Sequence, residues 1–154
     1  MHQGILAEPA GHREPSRRRT DVSYIPKSQR YDSAIALSEA ARRDSRTLPA
    51  LRVFDTYQAG HAYALAGHIR CAEGAMLTAD RLLETLSNDP LPTWTYWYNA
   101  PFLMTQRANV HDALGRPEKA IADLEAGLAD MPAEHRNAEW ACDIRERLAE
   151  LRDE

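Results

Sequence analysis

The sequence predicts an all-α protein built from antiparallel helical hairpins, with about six helices stacked as a solenoid. Three observations support this prediction. Alanine is abundant and β-branched residues are few, which favours helix over sheet. The stretch 114–132 reads as a tight turn followed by an amphipathic helix. Several small and apolar positions of that stretch recur earlier in the chain.

Glycine and proline mark the turn and the helix in 114–132. Gly115 follows an apolar-periodic run, where the end of a helix requires a positive φ angle. Pro117 suits the first position of the next helix because that position needs no N–H donor. Apolar residues then recur at helical spacing until a proline ends the run. A similar pattern follows Gly67, and a weaker copy follows Gln29.

The N-terminal stretch differs from the rest in composition. Residues 1–30 contain three prolines, two glycines and no sustained periodicity, so we expect an extended, largely disordered arm. The arm has a charge balance of +3, whereas residues 31–154 have a balance of −7. Arg17, Arg18 and Arg19 can bind the phosphates of a nucleic acid, or they can belong to a solvated tail. We therefore predict a flexible basic arm over 1–30 and a helical repeat domain over 31–154.

Hydrophobic periodicity predicts the first three helices of the repeat domain. The first, over 31–44, is expected to turn its apolar face toward the core with Ala34, Ile35, Leu37 and Ala41. The next two, over 51–66 and 70–86, form a hairpin whose second helix has the most regular apolar stripe in the chain. A run of polar residues and prolines over 87–92 then breaks the pattern.

Three further helices are predicted in the second half of the chain. Thr93 is expected to cap a helix that begins with an aromatic run. Pro101 falls inside this helix, so it either kinks the helix or marks the start of its continuous part. Helices over 117–130 and 133–152 follow, and the last pairs Asp143 with Arg147 on its charged face.

The residues around Gly67 follow a known order. A small residue and an aromatic residue precede the turn, and a small–large–small run follows it: Gly60, Tyr63, Ala72, Met76 and Ala79. This order resembles the tetratricopeptide repeat, which implies a solenoid of helix pairs. The three copies stand 38 and 48 residues apart. Because the repeat normally spans roughly 34 residues, we expect extended loops between hairpins.

Four segments carry a narrower resemblance: YDSAIALSEAARR (31–43), YALAGHIRCAEGAMLTADRLLE (63–84), PLPTWTYWYNA (90–100) and ALGRPEKAIADLEAGLADMP (113–132). Their order is similar to the C-terminal repeat region of actinobacterial helix-turn-helix transcriptional regulators, over residues 31–154. In that family a DNA-binding domain precedes repeats that sense a ligand or a partner. The first thirty residues here show no helix-turn-helix pattern. The resemblance therefore implies a sensing module without the DNA-binding domain.

The repeat resemblance also implies a concave groove lined by the first helix of each hairpin. Its groove positions fall on Phe54, Tyr57, Gln58, His61, Phe102, Thr105, Gln106 and Asn109, with Asp112 beyond them. This mixture can hydrogen-bond an extended peptide backbone while it buries apolar side chains of the peptide. Phe54 and Phe102 can equally be packing residues. The aromatic patch of Trp94, Trp97 and Tyr98 presents the same choice between core and exposed binding site.

No sequence pattern for catalysis or cofactor binding stands out. The sequence has no Gly-rich phosphate loop and no nucleophile elbow. His68 and Cys71 have the spacing of half a metal site, and His61 precedes them, but no second pair completes four ligands. His111 takes the position equivalent to Tyr63, which favours a core or semi-buried role over catalysis. We therefore expect no enzyme, no metal site and no cofactor.

These observations lead to one expected function and one alternative. We expect a non-catalytic module that binds a protein or peptide, either alone or as the regulatory part of a transcriptional regulator. The alternative is a nucleic-acid-associated regulator that uses the basic arm. No run approaches the ~20 apolar residues of a membrane span, and no signal-peptide pattern begins the chain, so we expect a cytoplasmic protein. The resemblance to actinobacterial regulators implies a bacterial one. The patterns leave a homodimer open.

Overall fold

The computed structural model describes residues 27–86 and 91–154, and every regular element in these ranges is a helix. The α-helices are α1 (Lys27–Arg43), α2 (Pro49–Leu65), α3 (Ile69–Glu84), α4 (Ala100–Ala113), α5 (Pro117–Asp130), α6 (Ala133–Arg136) and α7 (Cys142–Asp153). Short 3-10 turns at Thr93–Thr95 and Glu139–Ala141 precede α4 and α7. The all-α prediction is confirmed. Residues 1–26, with most of the predicted basic arm, lie outside the described ranges.

Two helical hairpins, α2–α3 and α4–α5, form the body of the structure. Each turn has its glycine at positive φ, 81° at Gly67 and 70° at Gly115. In the first turn, the His68 N–H donates to the Tyr63 carbonyl at 2.9 Å and the Gly67 N–H to the Ala64 carbonyl at 3.0 Å. The second turn repeats both bonds at 2.9 Å. These bonds satisfy the last carbonyls of α2 and α4, so each hairpin turn is specified largely by one glycine.

Small residues allow the helices of a hairpin to approach closely. A Cβ atom added to Gly60 in α2 would lie 3.5 Å from the Ala72 carbonyl oxygen of α3. The approach of α5 to α4 is closer, because a Cβ at Gly127 would lie 2.7 Å from the Pro101 carbonyl oxygen. The Thr105 methyl group would also be 2.7 Å away. No side chain fits at Gly127 without a movement of α4 or α5.

The hairpins stack with their first helices side by side. Helix α2 packs directly on α4, whereas α3 touches α4 only along a small area and hardly approaches α5. Helix α7 continues the series by packing against α5, and α1 covers the opposite side of α2. Because the first helices are close and the second helices diverge, α2 and α4 share one face of the array. None of the helices within 27–86 and 91–154 combines the length and the apolarity needed to cross a bilayer.

Two apolar clusters fill the interior. The larger joins the first hairpin to α4 and includes Val53, Tyr57, Ala72, Leu103 and Val110. The smaller joins the second hairpin to α7 through Ala108, Ala120, Leu124, Leu148 and Leu151. The core therefore follows the array from one hairpin to the next.

A chain of polar side chains crosses between the hairpins. The Tyr57 hydroxyl donates to Asp80 Oδ1 at 2.7 Å, and Arg107 Nε lies 3.3 Å from the same oxygen. Arg107 Nη1 donates to Asp123 Oδ1 at 3.3 Å, and His111 Nε2 lies 3.6 Å from Asp123 Oδ2. We call these five residues the inter-hairpin network. They link α2, α3, α4 and α5, so the two hairpins share a partly buried set of charges.

The first helix differs from its prediction. Helix α1 begins at Lys27, and none of its residues is buried. Ala34 is exposed and Leu37 is 72% exposed, so the prediction that they face the core is wrong. Ile35 and Ala41 are half-buried on the side that meets α2. The reason is that α1 packs on α2 alone, and no other helix in the part of the chain described covers its outer face.

The aromatic run does not form the N-terminal part of α4. Thr93 opens a 3-10 turn without a side-chain cap, and α4 begins at Ala100. The cap is Asn99, whose Oδ1 accepts from the Phe102 N–H at 3.0 Å. Pro101 therefore sits in the first turn of α4, where its missing N–H costs nothing, and it starts the helix rather than kinking it.

The last predicted helix is broken into two. Helix α6 ends at Arg136, and α7 starts at Cys142 after a 3-10 turn. Arg145 stabilises this break because its Nη1 donates to the Arg136 carbonyl at 2.5 Å. Arg147 pairs with Asp112 of α4 instead of Asp143, so the predicted pair along the helix is wrong. This break explains why seven helices replace the expected six in the ranges described.

Candidate functional site

Three rows of side chains with one spacing lie on α2, on α4 and at the start of α7. Each row begins with an aromatic residue and continues three, four and seven positions later. The rows are Phe54, Tyr57, Gln58 and His61; Phe102, Thr105, Gln106 and Asn109; and Trp140, Asp143, Ile144 and Arg147. Because a helix turns once in 3.6 residues, the first, third and fourth members of a row share a face. We call the surface formed by the three rows the row surface.

The first and second rows are joined directly. The rings of Phe54 and Phe102 are stacked, with centroids 6.3 Å apart and planes at 15°. Gln58 Nε2 donates to Gln106 Oε1 at 3.1 Å, and Asn109 Nδ2 lies 3.4 Å from the same oxygen. These contacts join α2 to α4 along a line of side chains that we call the seam. The rings lie at one end of the seam and the amides lie in its middle.

His61 and Asp112 lie at the end of the seam that is opposite the rings. Burial lowers the pKa of His61, and the nearby carboxylate of Asp112 opposes this shift. Asp112 is itself bound by the Arg147 guanidinium, which donates to both carboxylate oxygens at 2.9 Å. Such a two-bond fork fixes orientation as well as distance. The pair therefore connects the third row to α4.

The second and third rows enclose an open cleft of about 250 Å³. The cleft is lined by Phe102, Thr105, Gln106, Asn109, Leu124, Trp140, Asp143, Ile144 and Arg147. All eight residues of the two rows contribute to it, together with the buried Leu124 of α5. Trp140 Nε1 is buried and has no hydrogen-bond acceptor among the residues that the structure describes. The cleft thus combines aromatic, aliphatic, amide and charged walls.

An aromatic cluster extends from the row surface toward α6. Its seven rings are Phe54, Tyr96, Trp97, Tyr98, Phe102, His135 and Trp140, and successive centroids lie 5.1 to 6.3 Å apart. Asn99 Nδ2 lies 3.1 Å from His135 Nδ1, which attaches α6 to the start of α4. The loop before α4 and the short helix α6 therefore both border the surface.

Two of the predicted groove residues do not lie on the surface. Tyr57 is 0% exposed, because its side chain extends from α2 toward α3, where its hydroxyl donates to Asp80. Thr105 is 1% exposed, and its hydroxyl donates to the Phe102 carbonyl at 2.6 Å, although it still borders the bottom of the cleft. Both occupy the third position after the aromatic residue, which a helix rotates toward its hairpin partner. The assignment of Tyr57 to the groove is wrong.

The other predicted groove residues lie close to one another. They are Phe54, Gln58, His61, Phe102, Gln106, Asn109 and Asp112, and their contacts form the seam and one wall of the cleft. The three residues of the predicted aromatic patch do not lie together. Trp97 and Tyr98 belong to the aromatic cluster, whereas Trp94 is 64% exposed and has no ring contact in the described ranges.

The third row was not predicted from the sequence. Trp140 lies 38 residues after Phe102, and Asp143, Ile144 and Arg147 repeat the spacing of the second row. This repetition was a usable signal. Trp140 itself lies in the 3-10 turn that precedes α7.

The candidate metal ligands do not form a site. Within 27–86 and 91–154, no three His, Cys, Asp or Glu side chains are arranged to hold a metal ion. His68 is exposed in the hairpin turn, with its ring 6.3 Å from that of Tyr63, and Cys71 is exposed on α3. The candidate phosphate-binding residues Arg17, Arg18 and Arg19 lie outside the described residues.

No model of a protein family matches this chain, and neither a curated protein nor a solved structure matches it. Any assignment of function therefore rests on the residues and their geometry.

Proposed function

We propose that this chain is a non-catalytic binding module that holds an extended peptide segment of a partner protein along the row surface. The observation that carries the proposal is the alignment of three rows of equal spacing, with an open cleft between the second and the third. Stacked helix pairs elsewhere use the face of their first helices in this way. The tetratricopeptide-repeat resemblance agrees with this use, and a sensing role in a transcriptional regulator would be one application of it.

The amide groups of the row surface have unused hydrogen-bonding capacity. Gln106 Oε1 accepts from both Gln58 and Asn109. In the part of the chain that the structure describes, no protein donor reaches Gln58 Oε1 or Asn109 Oδ1, and neither oxygen is fully buried. A side-chain amide oxygen can accept two hydrogen bonds. These oxygens are therefore placed to accept from the backbone N–H groups of an extended peptide.

The aromatic residues supply the apolar part of the binding energy. Phe102 and Trp140 both line the cleft and pack edge to face, with ring centroids 5.7 Å apart and ring planes at 82°. Aromatic residues in partly buried surfaces commonly provide most of the affinity of a small interface. A peptide side chain that enters the cleft would bury its apolar surface against these rings and against Leu124 and Ile144.

The proposal is tested with the full chain and an immobilised library of degenerate peptides about ten residues long. Asn109→Ala removes one amide of the row surface. We expect it to weaken peptide binding about five- to tenfold, because a surface hydrogen-bonding group is lost. Thr78→Ala is the matched control, because Thr78 is exposed on α3 and bonds only within its own helix. Retention of no peptide, or equal binding by parent and Asn109→Ala, would contradict the proposal.

A further inference from the structure

The charges around the cleft do not balance. Among the described residues that line it, Arg147 is the one cationic residue, and Asp143 is an acidic residue on the same wall. The Arg147 guanidinium is already engaged by Asp112 on both oxygens, and Glu150 Oε2 lies 2.8 Å from its Nη1. Glu154 lies 3.5 Å from it as well. The positive charge at this end of the cleft is therefore more than neutralised.

Asp143 has no comparable partner. It is exposed, and within residues 27–86 and 91–154 no basic side chain lies within ion-pair distance of its carboxylate. Arg147, one helical turn further along α7, turns away toward Asp112. An unpaired carboxylate beside a partly apolar cleft provides an attractive site for a cation.

The remaining walls fit the stem of a long basic side chain. Lys and Arg bury their methylene groups against apolar surfaces while the charged head stays near water. Phe102 and Trp140 offer aromatic surfaces in the lining, and cations are attracted to such rings within about 6 Å. Leu124 and Ile144 add aliphatic surface to the same lining.

The size of the cleft argues for one side chain rather than a whole small molecule. Its volume of about 250 Å³ exceeds the roughly 30 Å³ share of one water molecule several times. It is below the range of about 300–1,000 Å³ that holds drug-sized ligands. A single long side chain with its solvent fits this space.

We infer that the cleft between α4 and α7 binds a Lys or Arg side chain of the partner peptide, with its stem against Phe102, Trp140 and Ile144 and its charge beside Asp143. The inference rests on the proposed function, because it names the chemistry of the segment that the row surface holds. The charge of the chain agrees with it, since residues 31–154 have a net balance of −7. The partner segment is therefore basic.

The test uses peptide pools of equal length in which one central position is Lys, Arg, norleucine, Glu or Gly. Norleucine keeps the aliphatic stem of Lys and removes its charge. We expect the Lys and Arg pools to bind the full chain about tenfold more tightly than the norleucine pool. Asp143→Asn, which keeps the shape of the side chain, is expected to remove about three- to tenfold of this preference. Asp153→Asn is the matched control, because Asp153 is exposed on the same helix and does not line the cleft.

Each result separates this inference from the proposed function. The Lys and norleucine pools could bind the parent equally, and the binding of both could weaken in Asn109→Ala. This result would overturn the inference that the cleft holds a basic side chain, and it would leave the proposal of peptide binding in place. A preference for Lys that persists in Asp143→Asn would overturn the role of the cleft. Binding of no pool would overturn both proposals.

A last experiment tests whether basic residues of the chain itself compete with the peptide for the cleft. A full-length variant with Arg17→Gln, Arg18→Gln and Arg19→Gln removes the chain's own cluster of arginines. We expect it to bind the Lys pool as the parent does, because the proposed occupant is a partner. Tighter binding by this variant would show that residues 17–19 compete for the cleft, and it would overturn the assignment to a partner protein.

Discussion

Two residues of the inter-hairpin network lie in surroundings that disfavour their charged forms. Burial raises the pKa of Asp123, and the positive charge of Arg107 opposes this shift. Burial lowers the pKa of His111, and the nearby charges of Arg107, Lys119 and Arg116 lower it further. Side chains in such positions bind protons differently in the folded and the unfolded chain. Their titration therefore changes the free energy of unfolding with pH.

The sign of the His111 contribution can be tested directly. Its folded pKa lies below the unfolded value of 6.5, so the unfolded chain binds more protons as the pH falls through 6.5. The contribution of neutral His111 to the free energy of unfolding is therefore fully present above that pH. Below it, the contribution decreases by up to about 1.4 kcal/mol per pH unit. We expect denaturant unfolding to show that the free energy of unfolding decreases less between pH 7.5 and 5.5 in His111→Gln than in the parent.

The comparison needs a histidine whose replacement leaves this pH dependence in place. His68→Gln serves as the control, because His68 is exposed in the first hairpin turn. The parent and His68→Gln should lose stability together as the pH falls. An unchanged slope in His111→Gln would contradict the assignment of the effect to this residue.

Part of this residue-scale picture could be predicted from the sequence. The position of His111, equivalent to Tyr63, predicted a core or semi-buried residue, and His111 is buried, at 4% exposed. The pairing of Arg107 with Asp80 and Asp123 could not be predicted. These residues are 27 and 16 positions apart in the sequence, and only the packing of three helices brings them together.

Among the elements, the contact of α4 with α5 depends most on one residue. A Cβ atom at Gly127 would lie 2.7 Å from a backbone oxygen of α4, which cannot move like the end of a flexible side chain. We expect Gly127→Ala to destabilise the protein by about 1–2 kcal/mol, because overpacking exceeds the gain in helix propensity. Thermal or denaturant unfolding measures the change.

Gly74 in the middle of α3 provides the matched control. A Cβ there would have no neighbour within 4 Å among the described residues, so Gly74→Ala should show only the propensity gain, about 0.5–1 kcal/mol of added stability. Similar effects of the two substitutions would contradict the close approach of α5 to α4. Such a result would mean that the helices adjust at little cost.

The bounds of the helices show where sequence patterns are sufficient. Helix α5 was predicted at both of its ends, because a proline starts it and Pro132 ends its apolar run. The break between α6 and α7 was missed because no glycine or proline lies within 133–152. Arg145 contributes to that break by donating to carbonyls nine and seven residues earlier in the chain. Local patterns contain no such information.

At the scale of the molecule, stability should decrease toward α1. Helix α1 has no buried residue and, among the helices described, packs on α2 alone, whereas α3 buries Ala72, Met76 and Ala79. We expect the amides of α1 to exchange with solvent at least about tenfold faster than those of α3, because local opening exposes little apolar surface. Hydrogen exchange followed by mass spectrometry of the full chain checks this. Equal protection of α1 and α3 would contradict it and would point to a further contact on the outer face of α1.

The row surface was partly predictable for a general reason. The helical period places the first, third and fourth members of a row on one face, which agrees with the groove positions Phe54, Gln58 and His61 that the repeat resemblance implied. The depth of each position was not predictable. Tyr57 and Asp143 occupy the same place in their rows, yet the first is buried against Asp80 and the second is exposed. What packs on the other side of the helix decides between these outcomes.

The unequal spacing of the rows has a consequence for how such a chain can change in evolution. The first two rows start 48 residues apart and the last two 38, yet their internal spacing is the same. An insertion between hairpins lengthens a loop and leaves every row intact, at a small entropic cost. An insertion of one residue inside a row turns the following positions by about 100° and removes them from the surface. Insertions and deletions should therefore accumulate between the hairpins, while the helices that present the rows keep their length.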